Sequence, residues 1–268
     1  MDIENLKLHN NLTHFTFGED FNQKVKLPNS LVCITFGDDF NQKVKLPNSL
    51  VYLTFGIAFN KTVILPNSLT HLTFGDKFNQ KVNLPNSLVY LVFGYYFNKK
   101  LNLPNSLILL TFDDSFNQKV KLPNSLAQLT FGENFNQEIQ LPNNLKHFHF
   151  GAINYTKTIE LPWNITYLYL LNNNNIVDRL PDSIKELHLD YFFNMKIDNL
   201  PSTIEKVTID RSGQFNQDLN CLPKKLKTLQ IPRYYQIPIT AQYNNLTLIC
   251  SKMYLHKKLL KVKKVKYY

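Results

Sequence analysis

The chain has 268 residues, 44% hydrophobic and 13% aromatic, with a formal net charge of +10, enough apolar material for a continuous core in one large domain or two ordinary ones. Its three cysteines, Cys33, Cys221 and Cys250, form no C-x-x-C pair, which argues against a disulfide framework or a structural zinc site and fits a reducing compartment. Neither a secretory leader nor the ~18 consecutive apolar residues of a membrane helix is found, so the expected location is intracellular and cytoplasmic, with no transmembrane segment.

The charge is unevenly spread. Residues 219–268 hold 11 of the 30 basic groups and no acid, which leaves 19 basic against 20 acidic groups in the first 218. The body is balanced, and the basicity belongs to the C-terminal end.

Residues 1–7 read as a short lead-in. From residue 8 a unit repeats: Leu-Pro stands at Leu27, Leu46, Leu65, Leu84, Leu103, Leu122 and Leu141, 19 residues apart each time, then more loosely at Leu161, Leu180, Leu200 and Leu222. A degenerate first copy, Leu8-His9-Asn10-Asn11-Leu12, opens the series. Within the unit LPNSLVYLTFGIAFNKTVI, Leu53 and Phe55 alternate across a strand with Thr54 on its other face. Gly56 is expected where the backbone turns with positive φ, and Asp113, which replaces glycine once, tolerates the same conformation. Phe59 returns inward, Asn60 follows, and Val63 and Leu65 alternate as a second short strand. Pro66-Asn67-Ser68 then reverses the chain.

One such coil buries too little to offset the ordering of its own backbone. Stacked coils share apolar layers, so the array folds only as an array. The expectation is a mainly β solenoid of about twelve coils over residues 8–231, with parallel ladders, and a C-terminal end segment over 232–268. Equivalent side chains then form ladders: Phe36 to Phe150 as one spine, Phe40 to Phe135 as a second, and Asn41 to Asn136 as amides capping the neighbouring coil. These are core, not a site.

The run Leu-Pro-x-Ser-Leu-x-x-Leu-x-Phe-Gly-x-x-Phe-Asn-Gln, as in Leu27 to Gln42, resembles the FNIP repeat. That family is related to the leucine-rich repeats and occurs mainly in social amoebae and giant DNA viruses of amoebae. The resemblance covers roughly residues 8–231. It implies a leucine-rich-repeat-like arc and a protein-interaction role. Two features depart from the family pattern: Lys43 and Lys81 replace the proline that often follows Phe-Asn-x, and the unit is about three residues shorter than the common form.

Function on such an array belongs on the outward strand positions, which vary while the inward Leu and Phe stay constant. Candidate partner-binding residues are Tyr52, His71, Tyr90, His147, His149, Tyr167, Tyr169 and His188. Tyr-rich, charge-poor surfaces suit protein contacts, although strand surfaces favour Thr and Tyr on propensity alone. The histidines are spaced too far apart along the ladder for a metal site, so neither metal nor cofactor is expected. No catalytic fingerprint occurs. Acid pairs such as Asp38-Asp39 and Asp113-Asp114, with Lys43, Lys45, Lys119 and Lys121, read as solvated charge stripes.

The tail SKMYLHKKLLKVKKVKYY carries seven lysines and no acid. Leu255, Leu259 and Val262 fall on one helical face, so helix is expected there if anywhere. Lys257, Lys258, Lys261, Lys263, Lys264 and Lys266 form a basic patch. It reads as a solvated end, as a nucleic-acid-binding or nuclear-targeting segment, or as an anchor to an anionic surface.

Overall fold

A computed structural model describes residues 8–171, 174–177, 179–254 and 262–268. The chain forms two compact units, Met1–Pro142 and Asn143–Tyr268. The first contains β1 (His14–Thr16), β2 (Cys33–Thr35), β3 (Tyr52–Thr54), β4 (His71–Thr73), β5 (Tyr90–Val92), β6 (Leu109–Thr111) and β7 (Gln128–Phe131). The second contains β8 (His147–Phe150), β9 (Tyr167–Leu170), α1 (Asn174–Val177), β10 (Glu186–Leu189), β11 (Lys206–Ile209), β12 (Thr228–Gln230), β13 (Tyr243–Cys250) and β14 (Val262–Tyr267). Within each unit successive strands pair in parallel, and in the first unit each residue pairs with its own equivalent one repeat later, as in Tyr52↔His71 and His71↔Tyr90. Mainly β architecture with coiled, leucine-rich-repeat-like stacking is therefore the fold. The ladder runs on past residue 231, where the Leu-Pro signature ends, through β13 and β14.

From the coil of β2 onward, each coil of the first unit buries the same positions. In the coil containing β3, Leu50, Leu53, Phe55 and Phe59 are at most 2% exposed. Phe17, Phe36, Phe55, Phe74, Phe93, Phe112 and Phe131 stack with centroids 5.2–5.7 Å apart. The second spine, Phe21 to Phe135, repeats at 6.0–6.2 Å. Within a coil the two rings meet almost face to face, as Phe55 and Phe59 do at 3.7 Å. In the second unit aliphatic side chains replace the first spine after Phe150, whereas the second column resumes as Phe193, Phe215, Tyr235 and Tyr254 at 6.1–6.3 Å.

Polar ladders fix the coils to one another. Asn41 Oδ1 accepts the Asn60 backbone N–H at 3.0 Å, and the same bond recurs from Asn22 to Asn136. Where glutamine follows the asparagine, its Nε2 donates to the same oxygen one coil back, as Gln80 does to Asn60 at 2.9 Å. That double acceptance explains why Phe-Asn-Gln travels as a block. At the opposite turn, serine Oγ donates 2.6 Å to the carbonyl of a leucine in the previous coil, as Ser49 does to Leu31. In the coil of β9 Asn164 takes the serine's place, and its Oδ1 is buried without a hydrogen-bond partner among the described residues, whereas Ser183 in the next coil restores the bond to the Ile165 carbonyl.

Three expectations are corrected. Gly18, Gly37, Gly56, Gly75, Gly94 and Gly132 have no positive φ. Glycine is required instead because each coil lies so close to the last: a Cβ on Gly56 would overlap the carbonyl of Gly37, and one on Gly75 the carbonyl of Gly56. Asp113 fits the column differently, its carboxylate accepting the Asp114 N–H at 2.8 Å to close the turn. The second strand expected at Val63 and Leu65 does not form. On that leg the coils are joined by side-chain amides and hydroxyls rather than by a backbone ladder. In the tail, Val262 lies in β14 rather than on a helix, paired with Tyr243. β-Branched Val262 and Val265 suit a strand, and β13 supplies a template for it. Leu255 and Leu259 lie outside the described residues.

The glycine column yields a paired prediction. Gly56→Ala forces coils apart and should cost about 1–3 kcal/mol, read as a lowered thermal midpoint. Gly18→Ala, which meets nothing within 4 Å among the described atoms, should leave the midpoint nearly unchanged.

Candidate functional site

Strands of three or four residues place their middle or alternate side chains inward and leave the flanking ones outward, so the register decides what the outer face displays. In the first unit Tyr52, His71 and Tyr90 fall in one column. The Tyr52 and His71 rings stack at 4.4 Å, and His71 and Tyr90 at 5.6 Å. His71 Nδ1 lies 2.8 Å from Thr70 Oγ1, a hydrogen bond that holds the ring in the stack. The result is a row of aromatic surfaces flanked by Thr54, Thr73 and Val92. Tyr52 is 45% exposed, while His71 and Tyr90 are half-buried by their neighbours.

The second unit brings the remaining five candidates together. His147 faces Tyr167 in one column, and His149, Tyr169 and His188 line the next. His149 stacks on Tyr169 at 3.8 Å, and the His188 ring lies 5.1 Å from Tyr167 and 6.4 Å from Tyr169. Burial holds the His149 and His188 imidazoles below their usual pKa; His188 adds to the effect on His149, against Asp190, and Lys206 adds to it on His188. Burial also pushes the Tyr167 and Tyr169 phenols up, and a hydrogen bond to the Asp190 carboxylate adds to the shift at Tyr169. At neutral pH these four side chains are therefore uncharged aromatics. Among the described residues no group of three His, Cys, Asp or Glu side chains could hold a metal ion.

Sequence reading missed several neighbours. Asp190 closes the turn after β10, accepting the Tyr191 N–H. The recurrence of Asp one or two residues past a strand at Asp113, Asp190 and Asp210 was the available signal. Two ion pairs, Lys206–Glu186 at 3.0 Å and Lys227–Glu205 at 2.6 Å, join successive coils beside the aromatic cluster.

The basic tail divides. Lys257, Lys258 and Lys261 lie outside the described residues, while Lys263, Lys264 and Lys266 are exposed on β14. Lys263 joins Lys185, Lys225 and Lys227 around a groove of about 650 Å³ that also holds Glu205. The strand's end is anchored: the Tyr268 hydroxyl donates to the Ile231 carbonyl at 2.8 Å, and the Arg211 guanidinium lies 4.6 Å over its ring. No helix among the described residues is long and apolar enough to cross a membrane.

The lowered imidazole pKa values have a consequence for stability. The unfolded chain binds protons at His149 and His188 near pH 6.5, whereas the folded chain resists them to lower pH. Stability is full above that value and declines as pH falls below it. Thermal midpoints measured between pH 7.5 and 5 should fall for the native chain and fall less for a His149→Gln, His188→Gln variant.

Comparison with known proteins gives the geometry its relatives. The FNIP Repeat matches residues 3–39, 21–57, 59–96, 78–115, 97–134, 116–152 and 172–212. Among solved structures the chain is similar to CroV588 from a giant virus, described as a novel circular LRR protein, at 34% identity and a TM-score of 0.65. The match covers 96% of this chain and 50% of that one, so the chain spans half the length of that relative. YopM from Yersinia enterocolitica WA-314 matches at 17% identity and a TM-score of 0.38, over 91% of this chain and 62% of its own. A leucine-rich repeat protein from Bacteroides ovatus ATCC 8483 matches at 13% and 0.23, over 90% and 74%. No curated protein matches. With the repeat matched over most of its length, in the register that the stacked coils display, the chain belongs to the FNIP repeat family.

Proposed function

We propose that the chain is a non-catalytic scaffold that holds a protein partner on its outward aromatic columns. Tyr52, His71 and Tyr90 form the contact surface of the first unit, and His147, His149, Tyr167, Tyr169 and His188 that of the second. The observation that carries this reading is the contrast between faces: inward positions are filled by Leu, Ile, Val and Phe, while the outward columns carry stacked, part-exposed aromatics. Stacking fixes these rings before any partner arrives, so less side-chain entropy is lost on binding. Cys33, Cys221 and Cys250 form no disulfide among the described residues, which suits a reducing, intracellular setting. Affinity capture from host lysate tests the reading. Tyr90→Glu or Tyr167→Glu should each deplete specific partners by at least about tenfold, which is 1.4 kcal/mol, without lowering the thermal midpoint. An unchanged partner list in both variants refutes it.

The second reading is association with nucleic acid or another anionic surface through the tail, with nuclear targeting as its cellular form. Lys263 beside Lys185, Lys225 and Lys227 favours it, since the tail then adds to a basic surface already present. Because β14 is part of the sheet, charge removal is the cleaner test than deletion. Replacing Lys263, Lys264 and Lys266 with Gln should reduce the salt slope of oligonucleotide retention by about 3 if each meets a phosphate. A slope identical to that of the native chain rejects this reading.

A further inference from the structure

We propose that the first unit carries a second, separate binding site, a lysine-lined groove that takes an acidic peptide with interspersed apolar side chains. The groove encloses about 770 Å³ on the return leg of three successive coils, the half of each coil that carries no strand. Lys81, Lys100 and Lys119 occupy one column, each a single repeat from the next, and Lys121 stands beside them; all four are exposed. Its lining contains no acid, no arginine and no aromatic residue. The acids of these coils, Asp76, Asp113 and Asp114, sit in the turn after the strand, and none of the four lysines forms an ion pair among the described residues. Like charges one coil apart are well within the ~10 Å screening length at 0.1 M salt, so the groove concentrates positive potential that nothing in the lining offsets.

The floor decides what kind of anion fits. Leu101 and Leu103 line it, half-buried, and at the equivalent of Asn83 one coil earlier stands Ile64, 91% exposed. A nucleic-acid backbone would leave this apolar surface unused, and the lining offers bases no ring or guanidinium to stack on. An extended peptide suits it better. Alternate side chains of a strand lie ~6.7 Å apart, so carboxylates two or four residues apart, at ~7 or ~13 Å, bracket the ~10 Å column of lysines while apolar side chains between them reach the floor. Lysine, a point charge on a flexible stem, tolerates the difference in spacing.

The test uses the full chain and a fluorescein-labelled Glu-Glu-Leu repeat peptide of about six residues, roughly 20 Å when extended, followed by fluorescence anisotropy. We expect saturable binding that weakens as salt rises. A Lys100→Gln, Lys119→Gln variant should bind at least about tenfold more weakly. Lys77→Gln, on the turn that holds the acids, should bind as the native chain does, and Tyr90→Glu should leave peptide binding intact, which separates this site from the aromatic columns. A Glu-Glu-Ser peptide should bind more weakly than Glu-Glu-Leu. The proposal is overturned if no peptide binds, if Lys77→Gln loses as much as the double variant, if the serine peptide binds equally well, or if a single-stranded oligonucleotide binds more tightly than the peptide.

Discussion

Everything in the first unit depends on the parallel register that sets each residue opposite its own equivalent one coil away. Backbone hydrogen bonds across β1–β7 enforce that match, and an inward side chain is then favoured when it packs well against a copy of itself. Phenylalanine stacks on phenylalanine, asparagine accepts from the next asparagine, and glycine permits the closest approach. Leucine, the general-purpose core residue, holds the positions where no such specific pairing is made.

The second unit shows what happens when the rule relaxes. Repeat spacing becomes longer and uneven, the first Phe spine gives way to aliphatics, and charged pairs appear between coils, yet the strands stay parallel and paired. The second aromatic column survives as Phe193, Phe215, Tyr235 and Tyr254, with the Tyr235 hydroxyl donating to the Gln217 carbonyl and the Tyr254 hydroxyl to the Ile237 carbonyl. Tyrosine is accepted there because its polar tip finds a backbone partner inside the core. The strand ladder is thus more tolerant of sequence than the turn motif that announces it.

Much of this was legible from the residues, because period, inward apolar columns and the asparagine ladder are all consequences of stacking and stacking leaves a period behind. Glycine at position 56 was legible as a constraint but not as the right one: a turn with positive φ and a close approach of coils both demand the absence of a Cβ. The return leg read as a strand because Val63 and Leu65 alternate, but alternation only reports burial, and Asn and Ser side chains make the joins on that leg. Asp190 escaped notice because its effect on Tyr169 and His149 comes through space. The lysine groove is hidden along the chain and within each coil, where Lys119 and Lys121 accompany Asp113 and Asp114. Counted by column, the same residues separate into an acidic turn and a basic leg.

The amide ladder also governs how such a chain can change in length. Adding or removing one whole coil returns every asparagine, serine and glycine to an equivalent partner, so duplication of a complete repeat is structurally silent in the first unit. Inserting a single residue breaks that correspondence for the coil that receives it unless a loop bulges outward. The molecule grows in quanta, and any surface stripe that it carries lengthens with it in the same steps.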